Sequence, residues 1–553
     1  MDYKKAFDNK KGEFAELHAR MDTDADLVNL AAYTLKDING KKVPRSISVT
    51  LNDPAIFAAN VESSLGNAVE QVVVESEDKK LDTTYIEDAI RAIFASADYR
   101  LSRQGKFPLN PIFDQYMCRR GRGAARCLFR IDSKTGEFIP DITPWDTRYV
   151  YYAMGTEGLA WAAYETTRNK DDIEAEYPDV KIKGTSAQVI DLWTPDHNEV
   201  YIDGKKQFEQ PHNFGVTPVC IQVVPLGSML VEKNTRKYEG ESIFFLIRDL
   251  VPELERLVSL IQSLNQKELD HALLWKSSEG KAAKPPEYKD LDTPGVITPT
   301  EIQGGAEPVN FGQLKQQAWL VHSIMQTRVE KGSLSSFDLG TFTQPMSAVA
   351  LIQIGEGRDQ VFLPRLGARG LLKQQLGYMG LDQLINLGQK SVEIGVKGHK
   401  RTFEVAKLQG EYSLEFKYFV KSPMLDMARY QQAMSAVASK ITSRHTARRE
   451  IAQLEDPEGE ERQLDWEEIE EMVPAIKLRR KIKSLYDMAE RGDNDARLDA
   501  ELAEETLMNL IGQAGQPEQP KQTGGELLPL LAERTAAKGR APGEEETTPP
   551  EEK

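Results

Sequence analysis

The sequence predicts an α+β fold in which a helical middle separates two strand-rich regions. Residues 1–240 contain short runs of alternating apolar and polar residues among scattered helical patterns, which is typical of α+β proteins rather than of a regular βαβ series. Helical periodicity dominates residues 243–388, and strand-like alternation returns at 392–396 and 414–420. At 553 residues, and at roughly 100–200 residues per domain, several structural units are expected.

Composition and charge exclude several classes of protein. The apolar and charged fractions are 40% and 28%, values that exclude a wholly disordered or collagen-like chain. No apolar run approaches the ~18–20 residues of a membrane span, and the first residues contain no apolar signal segment, so we expect no membrane association. Three cysteines favour a reducing cytosol. A net charge of −16 argues against a protein that grips DNA along its whole surface.

The first 240 residues supply the elements of the α+β region. A helix is predicted over Asp82–Leu101, where apolar residues recur at helical spacing. Strands are predicted around Cys127–Ile131, Tyr149–Ala153 and Val189–Trp193, where apolar and polar residues alternate. Prolines and an Asp-Gly pair between these runs indicate turns.

Two heptad-like apolar stripes indicate a pair of helices in the middle of the chain. The first consists of Ile243, Ile247, Leu250, Leu254, Leu257, Ile261 and Leu264, and the second of Leu314, Ala318, Val321, Met325 and Val329. Pro252 predicts a kink or a late start of the first helix. We expect the two helices to be antiparallel and the proline-rich excursion between them, about 36 residues long, to form a small subdomain.

An uncharged loop follows the second stripe. Ser333–Pro345 carries no charge apart from Asp338, and it is either a surface connection or the lining of a passage. Without Lys or Arg it cannot hold phosphates tightly, and a lining along which DNA slides should avoid tight binding.

Long helical stretches complete the chain. A helix is predicted over Met346–Gly388, with a bend at Pro364. Residues 424–511 are predicted to be helical, with breaks at Asp456-Pro457 and Gly492. The Pro-, Gly- and Glu-rich residues after 512 are predicted to form a disordered acidic tail.

The basic residues leave two alternatives open. Arg119, Arg120, Arg122 and Arg126 are either phosphate contacts or ion-paired residues, and the acidic net charge favours ion pairs. Residues Gly312–Lys390 contain 8 basic and 5 acidic residues. That surplus is either an electrostatic track for DNA or half of a contact between copies of the chain.

The sequence contains no recognisable catalytic or metal-binding motif. HExxH, CxxC, Walker A and GxSxG patterns are absent, and none of the seven histidines pairs with a cysteine or another histidine at metal-ligand spacing. Cys118 and Cys127 are expected to be core thiols and His322 a packing residue. We expect no enzyme activity, no cofactor and no metal.

Five stretches, taken in order, resemble segments of one protein family. They are NDPAIFAANVESSL (Asn52–Leu65), TPWDTRYVYYAMGTEGLAWAAY (Thr143–Tyr164), GESIFFLIRDLVPELERL (Gly240–Leu257), GTFTQPMSAVALIQ (Gly340–Gln353) and EDPEGEERQLDWEEIEE (Glu455–Glu471). The family is the portal proteins of tailed double-stranded DNA bacteriophages. The resemblance lies in the order and spacing of these segments and covers most of the chain.

The resemblance implies a ring of identical subunits, a homododecamer in assembled virions, around a central channel. The implied regions are a wing (1–239 and 389–423), stem helices (240–270 and 313–333), a clip (271–312), a channel loop (334–345), a long kinked helix (346–388), a helical crown (424–512) and the acidic tail (513–553). The two stripes are compatible with a ring, because neighbouring copies can bury apolar faces that one subunit leaves open.

The function that the resemblance implies is structural. The ring would stand at one vertex of the capsid in the virion, after assembly in the host cytoplasm. It would pass double-stranded DNA during packaging and ejection, dock the large terminase subunit and then the head-tail connector or adaptor, and nucleate assembly with the major capsid and scaffolding proteins. The alternative is a non-enzymatic helical adaptor or scaffold that acts through helical faces and the acidic tail.

Two sets of site residues follow from the resemblance. The DNA-channel candidates are Ser335, Ser336, Phe337, Thr341, Phe342, Thr343, Gln344, Arg328, Lys331 and Arg358. The candidates for docking the motor and connector in the clip are Lys284, Pro286, Tyr288, Glu301 and Gln303. Some family members place basic residues in or near the channel loop, whereas this sequence has none between Leu334 and Pro345.

Overall fold

The fold is α+β, as the sequence predicts. The computed structural model describes residues 2–132, 135–156, 158–228, 230, 235–269, 273–276, 305–308, 312–332, 348–420, 423–490 and 494–514. The chain divides into two compact units, Met1–Glu458 and Gly459–Lys553. Within the described part, all strands belong to the first unit.

The helices range from one turn to a single run of 39 residues. They are α1 (Tyr3–Val28), α2 (Asp53–Gly66), α3 (Thr83–Arg103), α4 (Leu109–Arg119), α5 (Lys170–Glu176), α6 (Leu250–Leu269), α7 (Gly312–Gly332), α8 (Ala348–Asn386), α9 (Pro423–Ala438), α10 (Arg444–Thr446), α11 (Pro457–Met472), α12 (Pro474–Glu490) and α13 (Asn494–Ala514). None of these described helices combines the length and the apolar character needed to cross a bilayer.

The strands are short and pair antiparallel. They are β1 (Ala68–Glu75), β2 (Arg122–Ile131), β3 (Phe138–Trp145), β4 (Val150–Met154), β5 (Leu159–Asn169), β6 (Ser186–Trp193), β7 (His197–Ile202), β8 (Lys205–Pro211), β9 (Val219–Val223), β10 (Leu273–Lys276), β11 (Gly305–Pro308), β12 (Ser391–Val396), β13 (His399–Glu404) and β14 (Ser413–Val420).

A five-stranded sheet, β4-β5-β6-β7-β8, forms one core with α1. Each strand pairs with its neighbour in the sequence, and α5 lies in the connection between β5 and β6. Helix α1 is capped by Asp2, whose side chain accepts a hydrogen bond from the Lys5 backbone N–H. Phe7 and Phe14 of α1 meet the Tyr151 ring edge-on, with centroids 4.9 and 6.1 Å apart. The first helix is therefore held by aromatic packing on this sheet.

A second core lies around β2, which pairs with β3 on one side and β9 on the other. Helix α3 buries its predicted apolar stripe here, and the long helix α8 crosses the same sheet. Gly380 permits that crossing, since a Cβ at this position would lie 2.5 Å from the Phe129 ring. Strand β14 pairs with β1, with Val420 opposite Ala68, so the two strand-rich regions of the chain are joined.

The predicted elements of the first unit are largely present. The helix and strands expected before residue 240 appear as α3, β2, β4 and β6, and those expected near the end of the unit as β12 and β14. Helix α6 begins at Leu250, which confirms the late start predicted from Pro252. Proline fits there because the first turn of a helix needs no intrahelical N–H donor. Helix α8 continues through Pro364.

The C-terminal helical region is more broken than the sequence predicts. Helix α11 does begin at Pro457, as expected. Two unpredicted interruptions follow α9 and α11. The first contains Lys440 in the left-handed region (φ 57°), which a helix cannot continue through. The second is at Val473, because a residue that precedes a proline disfavours the helical conformation. The predicted break at Gly492 and the tail beyond 514 lie outside the described residues.

Candidate functional site

Helices α6 and α7 form an antiparallel pair, as predicted. Gly332, the last residue of α7, lies just ahead of α6, because a Cβ there would be 2.7 Å from the Ile247 side chain. At the other end the chain forms the β10–β11 hairpin, with Leu273 opposite Pro308. The excursion between the helices therefore begins and ends as paired strands, and residues 277–304 lie outside the described part.

The apolar stripe of α6 is buried inside the subunit. Leu254 and the preceding Ile247 belong to one cluster with Phe57 of α2, Val329 of α7 and Phe362 of α8. The stripe predicted from the sequence is therefore a core face, and it fixes the helix pair to the rest of the first unit.

An extended segment, residues 47–51, is fastened along α6 by buried polar side chains. Its backbone N–H groups donate to side-chain oxygens spaced four residues apart on the helix: Ile47 to Ser263 Oγ (3.0 Å), Val49 to Ser259 Oγ (2.9 Å) and Leu51 to Glu255 Oε1 (3.0 Å). Four helical residues rise about 6.0 Å and two extended residues about 6.6 Å, so the two spacings match. Burial raises the pKa of Glu255. We call residues 47–51 the strap.

Helix α7 has a second apolar face that no described residue of the subunit covers. Leu320, Val321 and Ile324 are 64%, 41% and 53% exposed, and they lie next to one another on the helix surface. Ala318 and Val329 are buried on the other side. The predicted second stripe was therefore wrong at Val321, which faces outward. We call Leu320, Val321 and Ile324 the open face.

Arg328 lies on the same side of α7 as the open face. It follows Ile324 by four residues and Val321 by seven, and its side chain is exposed. Arg328 and the open face therefore belong to one exposed side of α7, and both alternatives for this basic residue stay predictions.

Three other basic residues of the central helices point into the subunit. Arg365, Arg369 and Lys373 follow one another every four residues on α8, and all are buried. Arg369 Nη1 lies 2.6 Å from the Asp114 carboxylate, and Lys373 Nζ lies 2.6 Å from Glu70. Arg365 donates to the Val361 carbonyl oxygen. Much of the predicted basic surplus is therefore internal, and it positions α8 rather than binding a polyanion.

The arginine cluster after α4 is ion-paired inside the subunit, as the acidic net charge suggested. Each member contacts a carboxylate: Arg119 that of Glu62 (2.6 Å), Arg120 that of Asp146 (3.0 Å), Arg122 that of Glu239 (3.5 Å) and Arg126 that of Asp191 (3.1 Å). The phosphate-contact alternative is not supported for these residues. Cys118 and Cys127 are buried free thiols, as expected.

A buried ionic network joins α1 to the segment that leads into α6. Arg248 Nε lies 2.6 Å from Asp24, and its Nη2 lies 2.6 Å from Glu241. Arg20 approaches Glu241 at 3.4 Å and donates to backbone carbonyls. Burial lowers the pKa of Arg20 to about 10, so it stays protonated at neutral pH. The start of α6 is thus fixed to α1 by paired charges that are expensive to break.

The structure places only three of the proposed channel residues. Arg328 and Lys331 are on α7 and Arg358 is on the first part of α8. The remaining channel and clip candidates lie outside the described residues: Ser335, Ser336, Phe337, Thr341, Phe342, Thr343, Gln344, Lys284, Pro286, Tyr288, Glu301 and Gln303.

One group of side chains in the described part has the composition of a metal site. Ligand atoms of His197, Glu199 and Glu209 lie within 4.8 Å of one another. The Lys206 ammonium lies 2.7 Å from Glu199 and 2.6 Å from Glu209. A cationic group of the protein therefore already neutralises these carboxylates, and the cluster is a salt-bridge network on the β7–β8 hairpin.

The open face and the strap were not predicted from the sequence. His322, by contrast, is half-buried and packs edge-on against Trp319, as a packing residue should. The strap had a signal in the sequence: Glu255, Ser259 and Ser263 put polar groups every four residues inside an otherwise apolar helical stripe. Such a row needs a backbone partner when it is buried.

No family model and no curated protein matches this sequence. Solved structures of gene transfer agent (GTA) particles are similar to parts of the chain, each with 11% sequence identity. The neck of a native particle computed with C12 symmetry gives a TM-score of 0.30 and covers 66% of this chain and 88% of that chain. The neck of an empty particle computed with C6 symmetry gives 0.35, with 70% and 85% covered. The virion of a native particle gives 0.33, with 70% and 86% covered.

Proposed function

We propose that this chain is the subunit of a portal ring at one vertex of a phage capsid. Copies would close around an axis and form the channel through which double-stranded DNA is packaged and later ejected. The ring would dock the terminase motor, then the head-tail connector, and would start assembly with capsid and scaffolding proteins. In this proposal the subunit is a conduit in the virion and catalyses no reaction. The order of the sequence segments and the geometry of the central helices support it.

The observation that carries the proposal is the open face of α7. Full burial of one large aliphatic side chain contributes about 1.5–3 kcal/mol, so leaving Leu320, Val321 and Ile324 half-exposed on one helix is costly for an isolated subunit. The same helix is already fixed on its other side by Ala318 and Val329. A neighbouring copy would cover the open face without any rearrangement of the subunit core.

The distribution of charge supports a conduit that does not grip DNA. The chain has a net charge of −16, and the buried positions of Arg365, Arg369 and Lys373 remove three cations from any DNA-facing surface. Each phosphate contact adds affinity and therefore resists movement. A ring that is acidic overall and buries these three cations would let DNA slide, and Lys331, Arg358 and the loop 334–345 are the proposed places of transient contact.

Electron microscopy of the purified full-length protein tests the proposal. We expect ring-shaped particles with a central hole and a mass many times the 62.1 kDa of one chain. If the purified protein is found only as monomers at micromolar concentration, the proposed ring is wrong. A variant that ends at Ile511 separates the proposal from the adaptor alternative: a portal subunit should still form rings, whereas an adaptor that depends on its acidic tail should lose its partner and show no ring in either form.

A further inference from the structure

The middle of helix α11 is exposed around its whole circumference. From residue 462 to residue 469 every side chain is exposed to solvent. The helix contains eight acidic residues and one basic residue, a net charge of −7. Carboxylates three residues apart, such as Asp465 with Glu468 and Glu467 with Glu470, repel each other on the helix surface. This helix is self-repelling and needs a partner to be stable as a separate element.

An apolar stripe runs along the acidic helix. Trp466, Ile469 and Val473 follow one another at spacings of three and four, which places them on one side. Their side chains are 54%, 42% and 42% exposed. Carboxylates flank this stripe, so the surface that would cover it must be apolar at its centre and basic around it. We call these three residues and the flanking Glu467 and Glu468 the acidic surface.

The next helix has the complementary charge. Five basic residues and no acidic residue occur in the seven positions from Lys477 to Lys483 of α12. Ile482 is buried, and α12 packs on α13 within this unit. Lys477, Arg479, Lys481 and Lys483 are exposed, and none of them has a carboxylate partner among the described side chains. We call residues 477–483 the basic surface.

Among the described residues of one chain, the two surfaces leave most of each other's charges unpaired. A single residue, Val473, separates the end of α11 from the start of α12, and the two helices make few contacts with each other. One ion pair joins them near the link, between Arg480 and Glu470. Trp466 lies about two turns before the link and is 54% exposed, so the basic surface of its own chain does not cover it.

We propose that the acidic surface of one copy docks on the basic surface of the next copy. The occupant is a second copy of this chain, because the same unit carries both halves of a complementary pair and leaves both exposed. Different surfaces of identical subunits then meet head to tail, which is the kind of contact that closes into a ring. This inference rests on the proposed ring and assigns part of its subunit contact. Because the contact is between opposite charges at the rim of an apolar stripe, its strength should fall as salt is raised.

Two charge-reversal variants test the proposal. Glu467→Lys/Glu468→Lys makes both surfaces basic. Lys477→Glu/Arg479→Glu/Lys481→Glu changes the net charge of residues 477–483 from +5 to −1 and so makes both surfaces acidic. We expect each variant alone to assemble at least ~10-fold more weakly than the unmodified protein at low salt, measured by sedimentation velocity over a concentration series, since each lost close charge pair costs on the order of 1 kcal/mol or more. An equimolar mixture should recover assembly, because each chain then offers the other a complementary surface. Glu505→Lys, an exposed charge reversal on α13, is the matched control and should assemble normally.

The outcomes separate this inference from the ring itself. The proposed docking is wrong if either variant alone assembles like the unmodified protein, or if the mixture assembles as weakly as its components. Neither result would contradict the proposed ring. If the unmodified protein is monomeric, the proposed function itself is wrong. Duplex DNA that binds the unmodified protein and not Lys477→Glu/Arg479→Glu/Lys481→Glu, with the oligomeric state unchanged, would assign the basic surface to DNA and overturn the proposal. Circular dichroism of each variant confirms that the helices are intact.

Discussion

Leu320→Ala/Ile324→Ala tests whether the open face of α7 is a subunit contact. These side chains are 64% and 53% exposed, and full burial of a Leu or Ile contributes about 1.5–3 kcal/mol. Burying the exposed part of both therefore contributes about 2–3 kcal/mol to each contact, since alanine retains only Cβ. That energy corresponds to a ~30–150-fold change in the dissociation constant of one contact.

Sedimentation velocity over a concentration series measures the effect. A closed ring has one such contact per subunit, so the concentration at which half of the protein is assembled should rise by about the same factor, ~30–150-fold. Phe107→Ala is the control, because Phe107 is 69% exposed and belongs to the connection between α3 and α4. It should leave assembly unchanged. An unchanged assembly midpoint for the α7 variant, with an unchanged melting temperature, would refute the contact.

Three further predictions concern the strap, a buried carboxyl group and the uncharged loop. Ser259→Ala/Ser263→Ala should lower the free energy of unfolding by about 1–3 kcal/mol per site, because each change leaves a half-buried backbone N–H of the strap unpaired; limited proteolysis that finds residues 47–51 equally protected would contradict this. Burial raises the pKa of Glu87 to about 7, above its usual 4.5. The protonated Glu87 side chain is therefore the form that the folded protein favours, and its stabilising effect is complete below pH 4.5 and lost as the pH rises through 7. Between pH 4.5 and pH 8, the free energy of unfolding of Glu87→Gln should rise by up to about 3 kcal/mol relative to that of the unmodified protein. Urea unfolding at both pH values checks this, and an equal difference at both would count against it. Phe337→Ala/Phe342→Ala should reduce packaged genome length or DNA retention without affecting assembly; normal packaging and retention would remove the loop from the channel.

The central architecture could be predicted because apolar spacing is a local property. The stripe from Ile243 to Leu264 is a buried face, and Pro252 marks the first turn of its helix, since both patterns depend on a few neighbouring residues. The predicted ion pairing of Arg119 and its neighbours was also right, because an acidic chain offers many carboxylates to a short basic run.

The features that were missed depend on contacts between distant segments. Val321 belongs to a regular apolar stripe, yet it faces outward, because the sequence does not show how far around α7 the subunit core extends. The basic surplus of the central helices looked like one charged surface. Arg369 and Lys373 are instead buried against Asp114 and Glu70, which lie more than 250 positions earlier in the sequence.

The candidate site was only partly predictable for the same reason. The resemblance supplied the loop between residues 334 and 345 and the clip positions, which the described residues do not include. The geometry instead points to Leu320 and Ile324, apolar residues that carry no motif. A surface that becomes buried only when copies meet has the same composition as a core, so one sequence cannot distinguish the two.

The strap restricts how α6 can move. Two extended residues of the strap span about 0.6 Å more than four residues of the helix, so each further hydrogen bond adds this mismatch. A ladder of three hydrogen bonds is therefore close to the longest that the two spacings permit. Sliding α6 by a fraction of a turn would break all three bonds together, whereas sliding by a full step would leave one donor without an acceptor. Residues 47–51 must therefore travel with α6 as one body whenever that helix shifts along its axis.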